Sequence, residues 1–372
     1  EHCISSMASK VLVVGSGVIG LRTALELLRK NVRVCLISPK TPTNVSTTSM
    51  GAGGLWMPFH CDDTRVDGWA LSTLDELAKQ HASSDRNVEV VPKVSFKRQL
   101  MERPTWSDST FLQFQQLDVH SLYKYASQNN IRLPRRETIE NAGYTHAWLF
   151  HPPIVDAPNA LDAMLQEISM HKHAHFIDVE TNKYFKTMNE IVTEARALGC
   201  DGVVNCTGLG SRALCLDEAL VGARGVLLHY DRYNPSLWRE ASKDDTHLKD
   251  SAVTIEEKPF GSETTPCYMI PRGDKLVVGG TYLVGDEEEC VRESEREMLL
   301  RNAQTLGIDT ANNDPVGEWV GFRPYRSSVR LEIDNDLTQS GMRVVHNYGF
   351  GGSGWTVFVG AAKEAASLIT RT

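Results

Sequence analysis

One stretch near the N-terminus restricts the fold more than any other part of the sequence. From Lys10 the chain reads KVLVVGSGVIGLRTALELLRKNVRVCLIS, which is an apolar strand, a glycine turn, an amphipathic helix and a second apolar strand. Ala24, Leu25 and Leu28 recur at helical spacing and give the helix one apolar face. Strands without polar alternation are typical of parallel sheets that are covered on both sides. The stretch therefore predicts a βαβ unit in an α/β protein.

The glycines of this unit lie where a dinucleotide would bind. Gly15, Gly17 and Gly20 form the pattern G-S-G-V-I-G between the strand and the helix. The first suits a tight turn, the second lets the main chain approach a pyrophosphate, and the third allows the helix to pack closely on the strand. The helix start, at Val18 and Ile19, offers N–H groups to the phosphates. A glycine-rich turn in another kind of α/β protein is the alternative.

The end of the second strand lacks the acidic residue that usually binds the ribose hydroxyls. Ser38 stands there and is followed by Pro39 and Lys40. A serine hydroxyl can still hydrogen-bond the ribose, although more weakly than a carboxylate does. We therefore keep Ser38 as the predicted ribose contact.

Composition excludes several classes of protein. The 372 residues are 41% hydrophobic and 23% charged, as in a globular protein large enough for two domains. The formal charge of -8, without a dense run of Lys and Arg, argues against nucleic acid as a partner. The longest apolar runs are far shorter than the roughly 20 residues of a membrane span, so no membrane partner is predicted. Eight cysteines without a CxxC pair predict no metal site.

The remaining elements are predicted from pattern alone. Residues 59–144 carry scattered helical patterns and look like an insertion, and residues 225–285 are rich in strands. The other predictions are a loop over 41–54, helices over 69–79 and 111–127, a strand from Gly202, a charged surface loop over 240–263, a strand over 342–348 and a helix over 355–368.

Three stretches resemble the D-amino-acid oxidase family in sequence, order and spacing: STTSMGAGGLWMPF (46–59), GFRPYRSSVRLE (321–332) and HNYGFGGSGWT (346–356). The resemblance extends from Met7 to about Ile369. It implies a Rossmann-like FAD-binding domain with a parallel sheet, and a second, β-rich α+β substrate-binding (cap) domain. The implied FAD-binding domain comprises residues 7–58, 150–222 and 323–372, and the implied cap comprises residues 59–149 and 223–322.

By the same resemblance, the cofactor is FAD, held without a covalent bond. Hydroxyls of Thr48 and Ser49 are implied to reach its phosphates, the main chain of 53–55 to line the flavin, and Val179 to meet the adenine. The helix start after Gly351 would place oriented N–H groups where charge collects on a reduced flavin. The full set of predicted cofactor contacts is Gly15, Gly17, Val18, Ile19, Gly20, Ser38, Thr48, Ser49, Gly53, Gly54, Leu55, Val179, Thr207, Gly208, Gly351, Gly352, Ser353, Gly354, Trp355 and Thr356.

The resemblance also implies the substrate contacts. Arg323, in GFRP, matches the arginine that pairs with the substrate carboxylate, a task for which the planar guanidinium fork is suited. Tyr268 matches a tyrosine that adds a third contact, and the carbonyl of Gly352 matches the acceptor for the substrate amine. These three are the predicted catalytic residues, and Tyr282 is a further predicted substrate contact. A structural salt bridge at Arg323 and a core position for Tyr268 are the alternatives.

The implied reaction is oxidative deamination of a D-amino acid to a 2-oxo acid, ammonia and hydrogen peroxide, by hydride transfer from Cα to flavin N5. A substrate held by its carboxylate and amine presents the α-hydrogen of only one enantiomer to the flavin. The implied partners are a small D-amino acid and oxygen, and the resemblance also allows a homodimer. Members of the D-amino-acid oxidase family are usually located in the peroxisome, so the resemblance implies that location. Because residues 370–372 are not an SKL-like signal, the cytoplasm is the other expectation.

Two departures from the family bear on the substrate. The family's second tyrosine, four residues before Tyr268, is Thr264 here. D-aspartate oxidases carry an arginine fourteen residues after the tyrosine that matches Tyr268, and this chain has Tyr282 at that position. Burying an unpaired carboxylate costs several kcal/mol, so neutral or apolar D-amino acids are predicted to be preferred, unless Lys249 or Lys258 substitutes. D-aspartate oxidases, glycine or sarcosine oxidases, NAD-dependent dehydrogenases and non-catalytic FAD-binding relatives remain alternatives.

Overall fold

The computed structural model describes residues 9–41, 44, 46–58, 61, 63–177, 185–238, 248–255, 266–338 and 341–371. The strands are β1 (Lys10–Val14), β2 (Arg33–Ile37), β3 (Val88–Val90), β4 (Lys93–Lys97), β5 (Gln115–Asp118), β6 (His146–Phe150), β7 (Pro153–Val155), β8 (Ala174–Ile177), β9 (Gly202–Asn205), β10 (Val221–Asp231), β11 (Ala252–Ile255), β12 (Cys267–Arg272), β13 (Lys275–Gly279), β14 (Leu283–Val284), β15 (Gly317–Ile333) and β16 (Arg343–Phe350).

The helices complete the set of described elements. They are α1 (Val18–Arg29), α2 (Thr48–Gly51), α3 (Val66–Ala82), α4 (Val119–Asn129), α5 (Arg136–Asn141), α6 (Ala157–Met170), α7 (Met188–Ala197), α8 (Ser211–Leu214), α9 (Glu293–Thr305), α10 (Asn335–Thr338) and α11 (Gly354–Thr370). None of these described helices combines the length and apolarity that crossing a membrane requires.

A parallel sheet contains the N-terminal βαβ unit. Its strands run in the order β8-β2-β1-β9-β16, and every neighbouring pair is parallel. Val11 and Val13 of β1 belong to a core that includes residues of α1 and α11, whereas Leu12 and Val14 belong to a second core that includes residues of α7. Because both faces are buried, the four residues of the strand that follow Lys10 are all apolar. The predicted βαβ unit and parallel sheet are confirmed.

The other half of the sheet is mainly antiparallel. Its order is β5-β6-β4-β11-β12-β13-β10-β15, with β14 also paired to β10. One face carries Phe96, Met269 and Val278, which share a core with Leu299 of α9. Ile270, on the opposite face, belongs to a smaller cluster that also contains Leu227 and Val277. This opposite face is the one that turns towards the cavity described below.

Strand β15 joins the two halves into one sheet of fourteen of the described strands. Its first part pairs with β10, where Arg323 lies opposite Ala223, and its last part pairs with β16. The register shifts between Tyr325 and Arg330, where the strand passes from one neighbour to the other. The predicted fold class is confirmed, and the hydrogen bonding is continuous from the parallel half of the sheet to the antiparallel half.

Helix α3 packs with the parallel half although it lies within residues 59–149. A Cβ added to Gly360 of α11 would lie 2.3 Å from the Cα of Trp69, so the two helices touch along their main chains. Trp69 and Leu74 are members of the same core as α1 and α11. The proposed boundaries between the FAD-binding domain and the cap remain a prediction, and α3 is the segment whose packing argues for moving them.

Three local predictions were wrong, and one of them is the loop over 41–54, which contains the short helix α2. The helix predicted over 111–127 begins only at Val119, because the Asp118 carboxylate accepts the N–H of Ser121 at 2.8 Å and caps the helix there. The charged loop predicted over 240–263 contains strand β11, which lies between β4 and β12. A four-residue strand flanked by charged residues gives too short a pattern to be recognised. Residues 239–247 and 256–265 lie outside the described part.

We expect Gly360→Ala to lower the free energy of unfolding by about 1–3 kcal/mol, because the new methyl group would meet the main chain of α3. The matched control is Gly68→Ala in α3, where an added Cβ meets nothing within 4 Å. That substitution should raise stability by up to about 1 kcal/mol through helix propensity. Both are measured by thermal and urea unfolding. Equal effects of the two variants would contradict the packing.

Candidate active site

A cavity of about 710 Å³ is lined by residues from both halves of the sheet. This volume is within the range of sites that bind small molecules and cofactors. The predicted site residues on its surface are Gly15, Gly17, Val18, Ile19, Ser38, Thr48, Ser49, Gly53, Gly54, Leu55, Thr207, Gly208, Tyr268, Arg323, Gly351, Gly352, Gly354 and Trp355. Gly20, Tyr282, Ser353, Thr356 and Lys249 lie outside this lining, and Val179, Lys258 and Thr264 lie outside the described residues.

Two of the three glycines at the turn between β1 and α1, Gly15 and Gly20, have no room for a side chain. Gly15 has a φ of +104°, and a Cβ there would lie 2.5 Å from the carbonyl oxygen of Cys206. A Cβ on Gly20 would lie 1.9 Å from the carbonyl oxygen of Gly15. Gly20 is thus a packing residue beneath the turn, which explains its place outside the lining. The turn brings the main chain of Gly15 and Gly17 to the cavity surface.

The N-termini of two helices meet at the cavity. Neither α1 nor α11 has a side-chain cap or an acidic residue in its first turn. A Cβ on Gly354, at the start of α11, would lie 3.9 Å from Cγ1 of Val18, at the start of α1. Their positive dipole ends therefore converge, and both attract anions. Lys40 adds a charge on the same lining, where its ammonium group donates to the Ser46 hydroxyl at 2.8 Å.

The segment from Thr48 to Leu55 is fixed by neighbouring elements. The Thr48 hydroxyl donates to the carbonyl of Phe322 at 2.7 Å, and the Ser49 hydroxyl accepts the N–H of Val18 at 3.1 Å. The buried Arg272 side chain donates to the Ala52 carbonyl. Both hydroxyls predicted to reach phosphates thus have a partner within the protein, and Ser49 lies at the start of α1, where a phosphate would bind.

Buried hydrogen bonds hold other predicted residues in place at the lining or behind it. Trp355 donates from its indole nitrogen to the Ser49 carbonyl at 3.0 Å. Thr356 lies behind it, where its hydroxyl donates to the Met57 carbonyl at 2.9 Å. Thr207 donates from its hydroxyl to the Asn205 side chain at 2.8 Å. These contacts hold the two turns in place without using the atoms that face the cavity.

A buried polar chain extends from Thr207 away from the cavity. The amide group of Asn205 donates to Nδ1 of His346 at 3.2 Å, and Nε2 of His346 lies 2.9 Å from the Asp334 carboxylate. Burial lowers the pKa of His346 below its ordinary value, while the hydrogen bond to Asp334 opposes this shift. A neutral imidazole that donates to Asp334 and accepts from Asn205 satisfies both contacts. This series of hydrogen bonds therefore fixes the turn after β9.

Tyr268 and Arg323 lie together at the end of the cavity formed by the antiparallel half. Burial raises the pKa of the Tyr268 phenol, and the neighbouring Arg323 guanidinium opposes part of that rise. The phenol therefore remains a neutral donor at ordinary pH. A Cβ on Gly279, opposite Tyr268 in the next strand, would lie 2.2 Å from Cζ of that ring. The ring of Tyr282 lies against Arg323, with 5.2 Å between the guanidinium carbon and the ring centroid.

The described part of the lining contains no Asp, Glu or His, and its cations are Lys40 and Arg323. Nor do the described residues include a group of three or more His, Cys, Asp or Glu that could hold a metal ion. An acid-free cavity with two helix N-termini and two cations has the charge needed for an anionic dinucleotide at one end and a carboxylate at the other. It has no described side chain suited to act as a carboxylate or imidazole base.

The lining also contains residues that were not predicted as contacts, among them Trp319, Thr254 and Lys40. Trp319 packs against glycines, since a Cβ on Gly51 or on Gly321 would lie about 2 Å from its ring. Strand alternation could have revealed it, because Trp319, Gly321 and Arg323 share one face of β15. Thr254 lies opposite Tyr268 in the adjacent strand, and Lys40 follows Ser38. Neither has a pattern in the sequence that distinguishes it from a surface residue.

Comparisons with known proteins identify the class. The chain matches the model of the FAD dependent oxidoreductase family (DAO) over residues 10–368. Solved structures with the same fold include glycine oxidase from Bacillus cereus, with a TM-score of 0.68, 14% identity and coverage of 97% of this chain and 94% of its own. L-proline dehydrogenase from P. horikoshii has a TM-score of 0.69, 15% identity and coverage of 98% and 93%. The protein belongs to the FAD-dependent oxidoreductase family.

Sequence relatives narrow the family further. A D-amino-acid oxidase from Streptomyces coelicolor is 30% identical over 97% of this chain and 97% of its own length. A D-amino-acid oxidase from Dictyostelium discoideum is 28% identical, with coverage of 96% and 91%. Human D-aspartate oxidase is 28% identical, with coverage of 97% and 95%. The resemblance stated from the motifs is confirmed, and the FAD-dependent family argues against an NAD-dependent dehydrogenase.

The residues of the cavity fit FAD. Its pyrophosphate is anionic, and the convergent starts of α1 and α11 with Lys40 supply the complementary field. The glycine turn supplies the close approach of the main chain that a pyrophosphate requires. We therefore infer that these elements would hold the cofactor, with the start of α11 stabilising negative charge on the reduced ring system.

We expect Lys40→Met to weaken FAD binding by about threefold to tenfold at low salt, with a smaller loss at high salt, because Lys40 is exposed. The control is Lys30→Met, which makes the same change in net charge at the opposite end of α1. Dissociation constants come from flavin fluorescence during titration of the apoprotein. An equal loss in both variants would show that only net charge matters.

Proposed function

We propose that this protein oxidises D-amino acids to 2-oxo acids, releasing ammonia and hydrogen peroxide, with FAD bound without a covalent link. The observation that carries the proposal is that Arg323 and Tyr268 meet at one end of a cavity whose described lining has no acidic side chain and includes the starts of α1 and α11. The relatives named D-amino-acid oxidase support this choice over other activities of the same fold.

Each substrate group has a proposed partner. Arg323 binds the substrate carboxylate with its planar fork, and the neutral Tyr268 hydroxyl donates a further hydrogen bond to it. The carbonyl of Gly352 accepts a hydrogen bond from the substrate amine. When bound, FAD supplies the oxidising chemistry by accepting two electrons from the substrate and passing them to oxygen. The protein contributes orientation and electrostatic stabilisation, which accords with the absence of Asp, Glu and His from the described lining.

Two features support a non-covalent cofactor. No histidine occurs among the described residues of the lining. Cys206 is the cysteine of that described lining, and burial raises the pKa of its thiol to about 12. A thiol with so high a pKa is a poor nucleophile at neutral pH. The sarcosine-oxidase type of covalent flavin link therefore has no suitable partner in this part of the chain.

Neutral side chains are the proposed preference. Ile270, Leu55 and Thr254 line the cavity near Tyr268, and Tyr282 replaces the arginine found in D-aspartate oxidases. No described cation on the lining, apart from Arg323 and Lys40, could neutralise a second carboxylate. An acidic side chain would thus be buried without a direct partner, which costs several kcal/mol.

D-aspartate oxidase activity is the second candidate, and one observation favours it. The fully buried Lys93 side chain, which lies outside the lining, donates to the Thr254 hydroxyl at 2.8 Å. An ammonium group behind a residue of the lining raises the local potential and would favour an acidic or amide side chain. The human D-aspartate oxidase among the relatives agrees with this candidate.

A substrate panel separates these activities. We expect D-alanine or a larger neutral D-amino acid to be oxidised at least about tenfold faster than D-aspartate, since an unpaired carboxylate is costly to bury. L-enantiomers should leave the flavin oxidised. The measurements are peroxide release in air and bleaching of the flavin without oxygen. Faster oxidation of D-aspartate would instead support the second candidate, and bleaching by glycine or sarcosine alone would end both.

Arg323→Leu should remove about 3–5 kcal/mol of carboxylate binding, which raises KM by orders of magnitude and lowers kcat through lost orientation. FAD content should remain normal, since Arg323 lies at the substrate end of the cavity. Arg301→Leu, at an exposed position on α9, is the control. Near-normal kinetics of Arg323→Leu would remove the central assignment.

A further inference from the structure

The guanidinium group of Arg323 is surrounded on three sides. Its Nη1 atom donates to the main-chain carbonyl of Thr281 at 3.0 Å. The ring of Tyr282 lies 5.2 Å from the guanidinium carbon, in cation–π contact. A Cβ on Gly225 would lie 2.4 Å from Nη1 and 2.6 Å from Nη2. We call Gly225, Thr281 and Tyr282 the guanidinium seat.

The seat is itself anchored to strand β10. The hydroxyl of Thr281 accepts the N–H of Val226 at 3.0 Å and donates to the carbonyl of Arg224 at 3.4 Å. Thr281 is 2% exposed, so these hydrogen bonds are shielded from water. The two anchoring residues flank Gly225, which leaves the space that the guanidinium occupies. One short stretch of β10 therefore fixes both the carbonyl that Arg323 contacts and the gap beside it.

The ring of Tyr282 also packs against a second aromatic ring. Its ring packs edge-on against Tyr325, with 6.4 Å between the ring centroids. Tyr325 follows Arg323 by two residues on β15, so the ring and the guanidinium are held by the same strand. Tyr282 lies outside the lining of the cavity. Its contact with Arg323 explains why an aromatic residue occurs at this position.

The guanidinium seat does not use all the N–H donors of Arg323. A guanidinium has five N–H donors, and the Thr281 carbonyl uses one of its edges. Because one edge, one face and the Gly225 side are taken, the head group has little freedom to rotate. The Tyr268 hydroxyl is a further hydrogen-bond partner of the guanidinium, and the donors that remain are held in one plane at the cavity lining. An arginine fixed before the substrate arrives loses less side-chain entropy on binding than a mobile one.

We propose that Thr281, Tyr282 and Gly225 are positioning residues that orient Arg323 for the carboxylate of a D-amino acid, and that enantiomer selectivity depends on this seat. The inference rests on the proposed function. A guanidinium of fixed orientation fixes the plane of the bound carboxylate and hence the direction of the substrate Cα–H bond. A guanidinium that tilts would still attract a carboxylate, but it would hold it in several orientations. Affinity and selectivity should then fall together.

The test is Thr281→Val in the holoenzyme. Valine has nearly the shape of threonine but makes neither hydrogen bond to β10, so the carbonyl that holds Arg323 is released. With D-alanine we expect KM to rise about tenfold and the ratio of D-alanine to L-alanine oxidation rates to fall by about tenfold. Flavin content and Tm should stay close to wild type. Thr281→Ser, which keeps the hydroxyl, should restore most of both losses.

A second pair of variants tests the aromatic side of the seat. Tyr282→Phe keeps the ring, whereas Tyr282→Leu removes it. Only the leucine variant should raise KM and reduce enantiomer selectivity. This pair decides the matter if Thr281→Val does not fold, since the Tyr282 substitutions keep both hydrogen bonds of the Thr281 hydroxyl to β10.

The outcomes distinguish the failure of the seat proposal from the failure of the proposed function. If Arg323→Leu raises KM while Thr281→Val and Tyr282→Leu keep the wild-type KM and enantiomer ratio, the seat is refuted and the proposed function stands. If Arg323→Leu itself leaves KM unchanged, the proposed function fails first. A loss of Tm without a change in KM or enantiomer ratio would assign Thr281 a purely structural role and would also refute the seat.

Discussion

Strand β15 pairs with β10 along one part and with β16 along another, and this double pairing fixes the geometry of the cavity. Main-chain hydrogen bonds on this strand set the position of Arg323 relative to the turn at Gly351–Ser353 that precedes α11. Both ends of the cavity are therefore attached to one hydrogen-bonded sheet. A site built on a continuous sheet is better ordered than one built on loops, which suits chemistry that depends on orientation.

The cavity has two regions of positive electrostatic potential. The starts of α1 and α11 with Lys40 form a region suited to a pyrophosphate, and Arg323 forms a region suited to a carboxylate. The described lining has no acidic side chain that would oppose either ligand. Such a cavity attracts anions and positions them, while the redox chemistry belongs to the cofactor. For the proposed function, we expect specificity to depend on the residues around Tyr268 and Thr254.

Much of the site was predictable because its residues occur in compact motifs. The glycine turn, the 48–55 segment, GFRP and the Gly351–Trp355 turn are each continuous in sequence, and each reaches the cavity. Residues whose roles come from cross-strand neighbours were not predictable. Trp319, Thr254 and the seat around Arg323 depend on register between β10, β11, β12 and β15, which no local pattern specifies. Tyr282 was predicted as a substrate contact, yet it packs on Arg323 outside the lining.

Local sequence was enough to predict the βαβ unit, the parallel direction of its apolar strands and the residue types at the turns, because these follow from periodicity and from the steric needs of glycine. Tertiary structure alone decided that both halves share one sheet, that α3 packs on α11 and that β11 inserts between β4 and β12. These features join residues far apart in the chain. Their free energy comes from strand pairing and burial between distant segments, which a single stretch of sequence does not encode.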